Sequence, residues 1–183
     1  MKAFLDACVL YPTVLREILI GCARAGLYRP LWSPRVLEEW ARAARKIEGG
    51  EVVARGEIAL LRAAFPEAEV RPGQGTEARM YLPDANDVHV LAAASDAGAD
   101  VLVTLNLRDF PKRDVAEEGM RLRSPDVFLL DLWQTDPDRV AAEVETVRAT
   151  AERLSGEAMP RRPLLKRARL PRLAKALSAE RDG

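Results

Sequence analysis

Hydrophobic residues recur along this chain with two alternating periods, one of strands and one of helices. Lys2-Ala3-Phe4-Leu5 is a short apolar run that predicts a buried strand, and it ends on Asp6. From about Pro12 to Ala25, Val14, Leu15, Ile18, Leu19 and Cys22 recur at helical spacing, and Gly26 stops the pattern. Tyr28 to Trp32 predicts a second short strand. Ser33-Pro34 then supplies an N-cap hydroxyl and a proline for the first helical position. The helix it opens carries Val36, Leu37, Trp40 and Ala44 on one face and should end before Gly49-Gly50.

Glu51 to Phe65 predicts another amphipathic helix, closed by Pro66. Glu67 to Met80, with Pro72, Gly73 and Gly75, predicts a loop with a short strand at Val70. Asp84 or Asn86 caps a helix that runs through Val88, Leu91, Ala92 and Ala93 to Gly98. Asp100 to Thr104 is the clearest buried strand, and Met120 to Arg123 predicts one more. Ser124-Pro125-Asp126 opens a helix through Leu132. Pro137 to Leu154 follows, with Val140, Val144, Val147 and Ala151 at repeat spacing. Pro160, Pro163 and Pro171 then interrupt a basic tail in which one short helix is expected, near Leu173 to Leu177. Strands alternating with helices predict an α/β fold, a central parallel sheet flanked by helices on both faces. That domain is expected over residues 1–133, with a helical and basic C-terminal extension over 134–183.

Composition narrows the chemistry. A chain of 183 residues, 48% hydrophobic and 31% charged, can bury a real core. No run of about 18 apolar residues occurs, so no membrane-spanning helix is expected. Asp6 interrupts the N-terminus before a secretory signal could form, which predicts a cytoplasmic protein. Cys8 and Cys22 are the only cysteines and, without a CxxC spacing, predict two buried thiols rather than a disulfide framework or zinc site. His89 is the only histidine. A His-rich zinc site is thereby excluded, and a Ser-His-Asp or Cys-His hydrolase would have this one position to use. Acid–base and metal work must fall mainly to carboxylates.

Net charge is zero, yet Arg161 to Arg181 carries Arg161, Arg162, Lys166, Arg167, Arg169, Arg172, Lys175 and Arg181 against Glu180 alone. The body is therefore net acidic and the tail basic, suited to RNA phosphates or to an acidic surface.

In open α/β sheets the functional crevice lies beyond the carboxyl ends of the strands. Asp6 ends the first strand, Asp84 and Asp87 flank a helix start, and Asn106 and Asp109 follow the best buried strand. Glu39 stands early in the helix opened by Ser33. An oxygen-only set of this kind suits Mg²⁺ or Mn²⁺, hard cations that take a few carboxylates, waters and substrate phosphate. Thr104 can order a metal-bound water, Arg108 can contact a phosphate, and His89 is expected to be a packed side chain. Each carboxylate alone also has an ordinary explanation as a turn residue or N-cap.

Phe4-Leu5-Asp6-Ala7-Cys8-Val9-Leu10 resembles the opening motif of PIN domains. Ser33-Pro34-Arg35-Val36-Leu37-Glu38-Glu39-Trp40 is similar to their second motif, with Glu39 the better match to the acidic position. Pro83 to Ala94 resembles the third, with Asp87 at the metal-site position and Asp84 just before it. Ala97 to Asn106 resembles the fourth, with Asn106 where many members carry Asp and Asp109 as a variant supplying the acid three residues later. Among PIN proteins the chain looks most like VapC-type toxins. The resemblance implies an endoribonuclease inhibited by a small antitoxin and working as a homodimer. It implies Asp6, Glu39, Asp87 and Asp109 as catalytic, metal-holding residues with Asp84, Thr104 and Asn106 in support. A catalytically degenerate PIN-like binding module is the alternative, on account of Asn106. A receiver-like phosphoacceptor domain is disfavoured because no lysine precedes Lys112 in the relevant loop.

Overall fold

The computed structural model describes residues 1–179; Glu180 and Arg181 of the basic tail lie outside the described residues. The chain divides into two compact units, one made of Met1–Tyr11 with Tyr28–Arg123 and the other of Pro12–Leu27 with the chain from Ser124 onward.

The first unit holds a four-stranded sheet of β1 (Lys2–Leu5), β2 (Arg29–Leu31), β3 (Val101–Val103) and β4 (Arg121–Arg123), in the order β2-β1-β3-β4. Every pairing is parallel. The apolar runs read from the sequence are fully enclosed: Ala3, Phe4 and Leu5 of β1 and Leu102 and Val103 of β3 are each 0% exposed. Register places Phe4 between Leu31 and Leu102, and Leu5 beside Val103. The two central strands therefore end level. Chain leaving β1 goes next to β2 at one edge, and chain leaving β3 goes next to β4 at the other. A crevice is expected where connections depart in opposite directions, and here that place lies just past Leu5 and Val103.

Helices of this unit begin where local chemistry favours them. Asp6 caps the short α1 (Ala7–Leu10), its carboxylate accepting from Ala7 N. Ser33 caps α3 (Pro34–Ala43) by accepting from Val36 N, with Pro34 in the first turn. That helix stops earlier than its periodicity suggests and continues as a 3₁₀ turn over Ala44–Lys46. α4 (Gly50–Ala64), α5 (Val88–Asp96) and α6 (Lys112–Glu117) complete the set. The strand expected at Val70 is reduced to an isolated bridge between Trp32 and Glu69.

In the second unit α2 (Thr13–Arg24) packs against α8 (Pro137–Ser155), and α7 (Pro125–Thr135) packs against both α8 and α10 (Pro171–Ala179). Leu15, Ile18 and Leu19 of α2 and Val140 and Val144 of α8 are buried. The basic tail holds a second helix that the prolines hid, α9 (Arg161–Arg167). Pro160 and Pro171 stand at helix starts and Pro163 in a first turn, where a backbone N–H has no helical partner to lose. Leu164, Leu165, Leu173 and Leu177 are buried, and Asp126 holds the start of α10 by accepting from Arg172 N and Leu173 N at 3.1 Å. Among the described residues, no helix is long and apolar enough to cross a membrane.

Candidate active site

Asp6 follows β1 directly, and its backbone N–H donates to Val103 O at 3.1 Å, fixing it beside the end of β3. The residue is 5% exposed. A carboxylate so enclosed is costly unless its oxygens are satisfied. Ala7 N donates to Oδ1 at 2.6 Å, while Thr104 Oγ1 donates to Oδ2 at 2.7 Å and Cys8 Sγ at 3.1 Å. Thr104, fully buried, accepts in turn from Asn106 N at 3.0 Å. Leu105 N donates to Cys8 Sγ at 3.2 Å. Burial, with the nearby Asp6 charge, pushes the Cys8 thiol up to about 12, so it stays protonated and able to donate.

Asp87 ends the 3₁₀ turn Ala85–Asp87 and precedes α5. It makes no side-chain capping bond; Asp84 does that work, accepting from Asn86 N at 2.9 Å. Burial, together with the charges of Asp6, Asp84 and Asp109, pushes the Asp87 carboxyl up to about 6, with His89 opposing weakly. No Lys or Arg forms an ion pair with Asp6, Asp84, Asp87 or Asp109 among the described residues. The result is a group of like charges with no ion-paired Lys or Arg among the described residues.

Glu39 is engaged differently. Its Oε1 lies 2.9 Å from Nε2 of His89 and 3.4 Å from Nε of Arg35. The imidazole is 2% exposed and presents Nε2 to Glu39 without an aligned hydrogen bond. Partial burial raises the Glu39 carboxyl, but His89 and Arg35 outweigh it and hold the group below the usual glutamate range. Glu38 pairs instead with Arg42 and Arg55 in an exposed network.

The donor set is made of carboxylate oxygens with a hydroxyl and an amide beside them, which suits a hard divalent cation. Among the described residues, no three His, Cys, Asp or Glu side chains converge closely enough to chelate one ion. A small hard cation retains several waters and takes only one or two carboxylates, so the oxygen-rich crevice fits it without a closed cage.

Of the residues expected from the sequence, Asp6, Thr104, Asp84, Asp87 and Asp109 share this edge of the sheet, linked by hydrogen bonds or by charge. Asn106 is exposed, and its backbone takes part through Thr104; Arg108 is exposed on the same turn. Glu39 is held by His89 and Arg35. Cys8, expected to be a buried thiol, is half-buried and part of the Asp6 network; its position two residues after a strand-end aspartate was the only signal in the sequence.

The family profile described as PIN domain matches residues 2–108, from the first strand to the residue before Asp109. No curated protein and no solved structure matches the chain. The match takes in more than half of the chain, and the parallel sheet agrees with it: the chain belongs to the PIN domain family, whose members are generally nucleases that use divalent metal ions.

Proposed function

We propose that the protein is a Mg²⁺- or Mn²⁺-dependent endoribonuclease acting in the cytoplasm as the toxin of a toxin–antitoxin pair of the VapC type. Asp87 is the observation that carries the enzymatic part: its carboxyl is pushed up to about 6 among Asp6, Asp84 and Asp109, with no Lys or Arg ion-paired to them among the described residues. Uncompensated carboxylates at a strand-end crevice are costly to keep and suit a cation that is bound in use.

Asp6, Asp87, Asp109 and Glu39 would hold the ion or ions. When bound, such a cation lowers the pKa of its water and shields charge on the phosphoryl group. Thr104 and the Asn106 backbone orient Asp6, and Asp84 fixes the turn from which Asp87 projects. Exposed Arg108 is available to a backbone phosphate of RNA. A small antitoxin protein and a second copy of the chain are the partners expected of such a toxin.

Cleavage of a labelled single-stranded RNA in Mn²⁺ tests the assignment. Activity is expected with Mn²⁺, none in EDTA, and a loss of at least about a hundredfold in Asp6→Asn and Asp87→Asn. Cleavage indifferent to EDTA or to both substitutions refutes it. A second reading, a degenerate module that binds RNA or protein, is favoured by Asn106 and by the lack of a three-ligand cluster among the described residues. Calorimetry with Mn²⁺ separates the two, since carboxylate-dependent heat is expected only of the enzyme.

A further inference from the structure

Two backbone N–H groups of the turn after β3 end on side chains. Asn106 N donates to Thr104 Oγ1 at 3.0 Å, and Leu105 N donates to Cys8 Sγ at 3.2 Å. Cys8 belongs to α1, after β1, so its sulfur joins two turns that are 97 residues apart in the chain. The same atom donates to Asp6 Oδ2 at 3.1 Å, beside the Thr104 hydroxyl that donates there at 2.7 Å. Sulfur and hydroxyl oxygen are 3.3 Å apart. With both hydrogens directed at the carboxylate, that contact is one of packing.

We propose that Cys8 is a positioning residue of the active site: its thiol clips the Thr104–Asn106 turn to α1 and holds the Asp6 carboxylate in one orientation. The assignment rests on the nuclease function proposed above. Thr104 alone leaves Oδ2 with one directional donor and leaves Leu105 N–H without an acceptor. Cys8 supplies both, as donor to one group and acceptor from the other. Each bond to sulfur is weak, so the clip contributes little to global stability. Its effect is on geometry, because an anion that shifts by a fraction of an ångström holds a cation and its water less well. Serine at this position would keep a donor and an acceptor; alanine would remove both.

The test uses the full chain as wild type, Cys8→Ala, Cys8→Ser and Cys22→Ala, the last a buried thiol of the helical unit that serves as a packing control. Mn²⁺ affinity is read by calorimetry, kcat and KM on a single-stranded RNA, and Leu105 amide exchange by NMR. Cys8→Ala is expected to weaken Mn²⁺ binding and kcat by about 10- to 100-fold, as loss of a ligand-orienting partner does, with KM little changed and Leu105 exchanging faster. Cys8→Ser should recover most of each, and Cys22→Ala should alter none. Wild-type Mn²⁺ affinity and kcat in Cys8→Ala, or a serine variant no better than alanine, overturns the proposal. A wild-type protein that neither binds Mn²⁺ nor cleaves RNA, while Leu105 protection still depends on Cys8, overturns the nuclease function and leaves Cys8 a purely structural clip.

Discussion

Replacing Asp87 by asparagine should make the metal-free protein more stable while abolishing its use of metal. The Asp87 carboxyl is pushed from an ordinary 3.8 to about 6, first by burial and then by Asp6, Asp84 and Asp109. At about 1.36 kcal/mol per pKa unit, that displacement bounds the cost of its charge near 3 kcal/mol. Asp87 is only partly enclosed, so solvent screening reduces this to about 1–1.5 kcal/mol. The sign follows from proton linkage. Between pH 3.8 and about 6 the folded state binds the proton more tightly than the unfolded chain, so stability falls as pH rises through that window and stays reduced above it. Asparagine keeps the shape, carries no charge and forfeits no helix cap, since Asp87 makes no capping bond.

Thermal unfolding in EDTA at pH 7.5 should therefore show Asp87→Asn melting about 2–6 °C above wild type, the shift that 1–1.5 kcal/mol produces in a chain of this size. The gap should narrow as pH is lowered towards 4. Saturating Mn²⁺ should reverse the order, because at a hundred times its dissociation constant a ligand stabilises the wild type by about 2.7 kcal/mol, which the variant would not gain. A variant that melts at or below wild type in EDTA would refute the electrostatic reasoning. A gap independent of pH would trace the effect to packing.

Thr104→Val keeps the buried volume but removes the donor to Asp6 Oδ2 and the acceptor of Asn106 N; urea unfolding should show a loss of about 1–3 kcal/mol. Asp126→Ala removes the acceptor shared by Arg172 N and Leu173 N. About 1–2 kcal/mol should be lost, with faster amide exchange concentrated at the start of α10.

Much of the fold was legible because it is written in local periodicities. The run Ala3-Phe4-Leu5, the Ser33-Pro34 start and the Val140/Val144 spacing each have a direct counterpart in β1, α3 and α8. α1 leaves no signature in the sequence because a helix of four residues, Ala7–Leu10, is too short to show a period. α9 was masked by Pro163, which interrupts a helix interior but not a first turn.

By itself the sequence determined which residues end strands and which open helices, and so which carboxylates could reach the crevice. It also determined that one histidine and two isolated cysteines leave oxygen ligands as the main available chemistry. Only the tertiary structure decided how those groups are partnered. Thr104 meets Asp6 across 98 residues of sequence, Leu105 meets Cys8 across 97, and His89 stands 2.9 Å from Glu39. The first two follow from parallel register, which ends β1 and β3 level with each other. No local pattern encodes that register; burial of both strands on their two faces does.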